Sequence, residues 1–282
     1  MSYVLFDIGG TKTRVAVSED LKTISDSVKF DTPKDFSAGT KKIIEEAKKL
    51  IGGNKVQAMA GGMRGILNGE KTGIIRDPGM ALSTWEDEPL AEVLEKGLGA
   101  KVYLENDAAM VGLGEAVFGA GIGHDIIVYL TVSTGVGGAK IEGGVVDDYS
   151  YGFEPGHQIL DIDHTILGED IEPTLENLVS GTALERRMGV KPYDIPQSDA
   201  VWDQLAMYLG HGLRNSILYW SPDAIVLGGS MIVGDPRILL DDIIKHTNEA
   251  MNDVVPTPLI LDATLADQGG LYGAMALLNQ KV

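Results

Sequence analysis

Residues 3–17 and 126–146 repeat one unit in two different sequences: an apolar strand, a glycine-rich turn and a second strand. The first copy reads "YVLFDIGGTKTRVAV" and the second "IIVYLTVSTGVGGAKIEGGVV", with Gly9 and Gly135 at comparable places. Two such copies predict two similar halves, and facing halves leave a cleft where ligands commonly bind. Between the copies, "VKFDTP" predicts a third strand and residues 37–52 a helix that stops at "IGG". "VQAMAGG" and "KVYLEND" predict buried strands, and "DAAMVGLGEAVFG" a helix with Asn106 or Asp107 near its cap. Further on come a long amphipathic helix over 199–220, a buried strand in "DAIVLGGSMI" and a closing helix in "GGLYGAMALLNQ". Alternating strands and helices after a β-rich opening make an α/β arrangement.

The length of 282 residues suits two compact domains. No apolar run reaches the roughly 18 residues of a membrane helix. The start "MSYVLFDIGG" has no basic segment and no cleavage site, and there is no cysteine for disulfides or cysteine–zinc sites. These features predict a cytoplasmic protein without a membrane partner. The formal net charge of −18 argues against nucleic acid as a partner and reads as a solvated acidic surface.

Three glycine turns follow apolar strands: "DIGGTK", "STGVGG" and "LGGS". None matches the Walker pattern or the dinucleotide fingerprint. Each alone could be a plain hairpin; together they offer backbone N–H groups that cradle an anion without a positive charge. Asp7 sharpens the choice. A carboxylate directly ahead of a phosphate cradle requires either a cation between them or no phosphate at all.

"FDIGGTKTRVAV", "LENDAAMVGLGEAVFGAG", "LTVSTGVGGAKI", "EPGH", "IVLGGSMI" and "DQGGLYGAMAL" resemble, in order and over nearly the whole chain, the ROK sugar kinases and regulators. The resemblance implies two ribonuclease-H-like (actin/hexokinase-like) α/β domains with a cleft between them. A smaller N-terminal domain would span 1–108, with the last helix (about 269–282) packing back on it, and a larger C-terminal one 109–268. It further implies an ATP- and Mg2+-dependent kinase acting on a hexose or N-acetylhexosamine, glucose-like and at the 6-OH, in a homodimer.

Carried over residue by residue, Asp7 positions Mg2+ through water, and Gly9, Gly10, Thr11 and Lys12 form the first phosphate loop. Ser133, Thr134, Gly135, Gly137 and Gly138 form the second, and Gly228, Gly229 and Ser230 the adenosine-side turn. Phosphoryl transfer to an alcohol needs a group that takes the hydroxyl proton. By resemblance that group is Asp107, with Asn106 on the sugar; the plainer reading of both is a helix cap. Gly62, Glu154, His157 and Glu176 complete the sugar side, and Trp85 is expected to line the pocket with them.

Two loops depart from the family pattern. Between the "EPGH" histidine and Glu176 the family carries a cysteine-rich zinc loop; here "QILDIDHTILGEDIEPTL" has no cysteine, so no zinc site is expected. Asp161, Asp163 and His164 in that stretch read as a solvated acidic loop rather than a substitute metal site. Met80 stands where the family has asparagine, and Arg64 is assigned no role. Three other readings stand beside the kinase. They are a polyphosphate-dependent sugar kinase, a regulator with a DNA-binding domain ahead of Asp7, and a silent sugar-binding protein.

Overall fold

The computed structural model describes residues 1–282, which divide into two compact units. Unit 1 comprises Met1–Phe118, Asp148–Gly152 and Asp267–Val282; unit 2 comprises Gly119–Asp147 and Phe153–Ala266. No helix is long and apolar enough to cross a membrane.

Unit 1 contains strands β1 (Ser2–Ile8), β2 (Lys12–Ser18) and β3 (Asp26–Asp31), helix α1 (Phe36–Ile51) and strand β4 (Val56–Met63). A small ribbon, β5 (Ile66–Leu67) with β6 (Ile74–Arg76), then leads to helix α2 (Leu90–Leu98), strand β7 (Lys101–Asn106) and helix α3 (Asp107–Phe118). The C-terminal helix Gly269–Lys281 completes it. Its sheet runs β3-β2-β1-β4-β7, antiparallel through the first hairpins and parallel from β1 to β7.

Both faces of this sheet are covered, which explains the continuous apolar runs of β1 and β4. Val4, Phe6 and Ile8 face a core shared with Ile43, Trp85 and Leu94, while Leu5 and Ala60 face Met110, Leu271 and Met275. Helix α1 begins where the Asp35 carboxylate accepts from the Ala38 N–H, and ends at Gly52 in the left-handed region, φ +57°. The expected boundary at residue 108 falls inside α3. That helix belongs to unit 1 because Met110 is fully buried against Ala58, Ala60 and Leu271 of the same unit.

Unit 2 repeats the arrangement. Strands β8 (Ile126–Val132), β9 (Val136–Glu142) and β10 (Val145–Val146) form the antiparallel part. Helices α4 (Leu175–Val179), α5 (Gly181–Met188) and α6 (Val201–Trp220) follow, then strand β11 (Ala224–Gly228), helices α7 (Ser230–Val233) and α8 (Leu240–Met251), and strand β12 (Leu259–Asp262). The order β10-β9-β8-β11-β12 matches that of unit 1, with β8, β11 and β12 parallel. The repeat legible around Gly9 and Gly135 is therefore a repeat of sheet topology. One face packs Val128, Leu130, Ile225 and Leu227 against Leu205, Leu209 and Leu213 of α6.

Candidate active site

Strand register brings the chemistry of unit 1 to one sheet edge. Asp7 pairs with Arg14 on β2 and with Gly62 on β4, and Met63 pairs with Asn106 on β7. Asp7, Gly62, Asn106 and Asp107 thus sit at the carboxyl ends of three parallel strands, where open α/β sheets bind ligands. Gly9 and Gly10 form the β1–β2 turn, closed by the Gly9 N–H donating to the Lys12 carbonyl at 3.0 Å. At Gly62, a Cβ would come within 3.2 Å of the Asp107 Cα, so glycine there lets α3 start close against β4.

Asp7 and Asp107 are both desolvated carboxyl groups. Burial, followed by the like charge of Asp107, pushes the Asp7 carboxyl up to about 6, against the opposing pull of Arg14. Burial likewise raises Asp107, opposed by its bond from the Ala108 N–H and by the Arg64 charge. The Arg14 guanidinium lies 3.4 Å from Asp7 and 2.6 Å from Asp267, and Lys29 lies 2.8 Å from Asp267. The pair of acids is therefore only partly balanced by the protein's own cations.

The capping role weighed for "END" is present. The Asn106 amide oxygen accepts from the N–H groups of Ala108 and Ala109 at 3.0 and 3.2 Å, and its amide nitrogen donates to the Gly65 carbonyl. Asp107 Oδ1 accepts from the Ala108 N–H at 2.9 Å, and the Asp107 N–H also bonds its own carboxyl group. Capping fixes the α3 start and with it the direction of Asp107.

Arg64 is the residue whose importance the sequence reading passes over. Its Nε donates at 3.0 Å to the buried Asp77, which also accepts from the N–H groups of Gly79 and Leu82. The guanidinium lies so close to Gly79 that a Cβ there would meet Nη2 at 1.8 Å, and its stem passes beside Gly10. A cation held this way beside the first glycine turn supports the Asp107 charge. Arg14 is missed too, although counting back through the hairpin turn pairs it with Asp7.

Other residues stand differently from the sequence reading. Trp85 does not line a pocket; it is 1% exposed, donates its indole N–H to the Lys34 carbonyl and stacks edge-on with Phe36. Its large apolar ring completes the core over α1. Lys12 ion-pairs with Asp31 across β2–β3, and Lys34 donates to the Gly10 carbonyl at 2.8 Å. Thr11 is exposed on the same turn, where its carbonyl accepts from the Thr32 N–H.

In unit 2 the second glycine loop and the Gly228–Ser230 turn, expected on the adenosine side, are joined. The hydroxyls of Ser133 and Ser230 lie 3.0 Å apart, and the Gly181 N–H donates to the Ser133 carbonyl at 2.7 Å. Thr134 and Gly135 make the turn from β8, Gly137 and Gly138 lie on β9, and Gly228–Gly229 end β11, with Gly229 at φ +87°. Glu176, expected on the sugar, also braces this loop: its Oε2 accepts from the Val136 N–H at 2.8 Å. A Cβ on Gly135 would meet that same oxygen at 2.6 Å, so only glycine admits the brace.

Glu154 and His157 flank a short 3-10 turn, Pro155–His157, and their side chains approach to 4.0 Å, each about half exposed. Asp161 corrects the expectation of a solvated acidic loop. It is buried, and its carboxylate accepts four hydrogen bonds from Thr165, Ile166 and Leu167, whereas Asp163 is exposed. No group of three or more histidine, aspartate or glutamate side chains is arranged to hold a metal without further ligands.

The chain is similar to known proteins over its whole length. The family model described as "ROK family" matches residues 3–281. The glucokinase of Thermotoga maritima is 28% identical over 98% of this chain and 96% of its own length. A ROK hexokinase from Thermus thermophilus superposes with a TM-score of 0.82 at 29% identity, covering 100% of this chain and 99% of the other. A ROK family glucokinase from Streptomyces griseus, solved with glucose and AMPPNP, gives 0.81 at 27% identity over 99% of this chain and 100% of the other. The repeated sheet topology, the paired glycine loops and the family match lead to one conclusion: the chain belongs to the ROK family and has its actin/hexokinase-like α/β fold.

Proposed function

We propose that this protein is a sugar kinase that transfers the γ-phosphoryl group of ATP to the 6-OH of a hexose or N-acetylhexosamine, with a glucose-like sugar favoured. The observation that carries the reading is the pair of desolvated carboxyl groups, Asp7 and Asp107, at one sheet edge beside a glycine turn. The Asp107 carboxylate accepts the proton of the attacking hydroxyl, its charged form supported by Arg64. The N–H groups of the Gly9–Thr11 turn and of the Ser133–Gly138 loop bind phosphate oxygens, and Gly228, Gly229 and Ser230 serve the adenosine side. Asn106, Glu154, His157 and Glu176 supply the donors and acceptors that orient sugar hydroxyls.

The residues present fit Mg2+. Asp7 is a hard oxygen ligand held in a locally acidic, underneutralised setting, and Mg2+ is typically bound by one or two carboxylates plus substrate phosphates. Asp7 would hold it, directly or through water; when bound, it neutralises charge on the phosphate oxygens. ADP formation measured across a panel of hexoses and N-acetylhexosamines tests the reading. ADP should appear only with both Mg-ATP and one of these sugars, and stop when EDTA exceeds Mg2+. Turnover with polyphosphate and none with ATP would replace ATP as donor.

Arg64→Met gives a prediction of defined sign. Removing the cation raises the Asp107 pKa further, and the base must be ionised to act. The acid limb of kcat against pH should therefore move to higher pH, while kcat on the alkaline plateau falls less. An unmoved limb would mean that Arg64 does not support the base.

A further inference from the structure

We propose that Asp161 is a positioning residue that sets His157 for the sugar by tying together the loop between His157 and Glu176. The inference rests on the sugar-kinase reading and on His157 facing the sugar. The loop consists of two paired arms and a tip. The arms join where the Leu175 N–H donates to the Gln158 carbonyl at 2.9 Å, Ile159 bridges Thr174, and the Leu160 and Asp161 N–H groups donate to the Pro173 carbonyl.

One carboxylate organises the tip. Asp161 Oδ1 accepts from the Thr165 N–H at 3.0 Å and its hydroxyl at 3.3 Å; Oδ2 accepts from the N–H groups of Ile166 and Leu167 at 3.1 and 2.8 Å. The Asp161 carbonyl takes the His164 N–H at 2.9 Å as well. Asp161 is 3% exposed and is the only buried ionisable side chain between Gln158 and Leu175. Burial alone would raise its pKa, but the three backbone donors outweigh that and hold the carboxyl below its usual range. The turn it stabilises delivers Leu167 into the unit 2 core, with Leu160 and Ile171 packed beside it.

The two ends of the loop are fixed unequally. Glu176 sits on α4, which is capped by Thr174, anchored by buried Leu175 and Leu178, and bonded to Val136. His157 is half exposed on a single 3-10 turn with Glu154 at 4.0 Å, and Gln158 beside it is held by Asn215 at 2.8 Å. The turn itself is seated by Pro155 and Gly156, buried against β9, and by Gln158; beyond it, the His157 arm takes its direction from its pairing with the 173–175 arm, and Asp161 closes that pairing. The segment has no thiolates with which a metal could tie it. A carboxylate saturated by the loop's own N–H groups does the tying.

Asp161→Asn keeps the size but turns one acceptor into a donor facing backbone N–H groups. The sugar KM should rise about tenfold, the order expected from a small misplacement of an orienting group, with the ATP KM and kcat changed less than about twofold. Because Asp161 acts through His157, adding D161N to His157→Ala should raise the sugar KM no further than His157→Ala alone. Asp161→Glu, which keeps the charge and both acceptors, should restore most of the affinity; if D161N fails to fold, Asp161→Ser, which keeps one acceptor and loses the charge, carries the same cycle with His157→Ala. An unchanged sugar KM in D161N, equal losses for both substrates, or full additivity with His157→Ala would overturn the inference. An unchanged sugar KM in His157→Ala itself would instead remove His157 from the sugar, and the inference with it.

Discussion

Asp107→Asn should lower kcat by roughly 10²–10⁴, the usual contribution of a positioned general base. Asparagine matches the shape of aspartate and keeps an oxygen to accept the Ala108 N–H that Asp107 accepts at 2.9 Å, so α3 should still start in place. What is lost is a group able to take the proton. Sugar and ATP KM values should therefore change only a few-fold, the pattern of an interaction made in the transition state. Removing one of two neighbouring acids also removes the like charge that raises Asp7, so the Asp7 pKa should fall from about 6 toward the ordinary carboxyl range. NMR titration of the labelled carboxyl checks this independently of turnover. A kcat within about threefold of wild type would take the proton-accepting role away from Asp107.

Gly273→Val should destabilise unit 1 by about 3 kcal/mol or prevent its folding, at the upper end of overpacking costs. A Cβ at Gly273 would lie 1.7 Å from the Met110 carbonyl oxygen, and one at Gly114 would lie 2.4 Å from the Gly269 carbonyl oxygen. Helix α3 and the C-terminal helix therefore touch backbone to backbone, and neither atom can move aside as a flexible side chain could. The same helices carry site residues at their starts: Asp107 opens α3, and Asp267, just ahead of the C-terminal helix, holds Arg14 beside Asp7. Pushing the helices apart should therefore also reduce activity in any fraction that folds. Gly69→Ala is the control, since a Cβ there meets nothing within 4 Å, and its effect should stay within about 0.5 kcal/mol. Urea unfolding of both variants checks the contrast; equal midpoints would show that the helix contact is not the constraint described.

Much of this was legible in the sequence because the decisive elements carry local signals. The Gly9 and Gly135 turns mark both hairpins, "IGG" marks the end of α1, and the capping pair Asn106–Asp107 marks the start of α3. Helices α2 and α8 end in left-handed residues, Gly99 and Asn252, but lack a capping side chain at the start. Pro89 and Leu239 precede them, and neither makes a side-chain cap bond, so nothing local marks where either helix begins. The misreadings concern side chains whose surroundings come from distant segments. The sequence offers Trp85 to the pocket, yet its indole answers to Lys34 and Phe36 on a distant segment. Arg64 takes no role from the sequence because its partner, Asp77, is brought beside it and buried only when the β5–β6 ribbon and the following loop fold. Asp161 looked solvated because an acidic stretch usually is, and the N–H groups that pay for its burial carry no residue identity to read.

Phosphorus NMR of the wild-type protein with Mg-ATP and glucose tests the central claim most directly, because it identifies the product as well as the turnover. The account predicts that the γ-phosphorus signal of ATP is replaced, one for one, by ADP and a sugar phosphomonoester at the 6-position. Inorganic phosphate in place of the monoester, or an unchanged ATP spectrum with glucose and with every other hexose and N-acetylhexosamine tried, would contradict it.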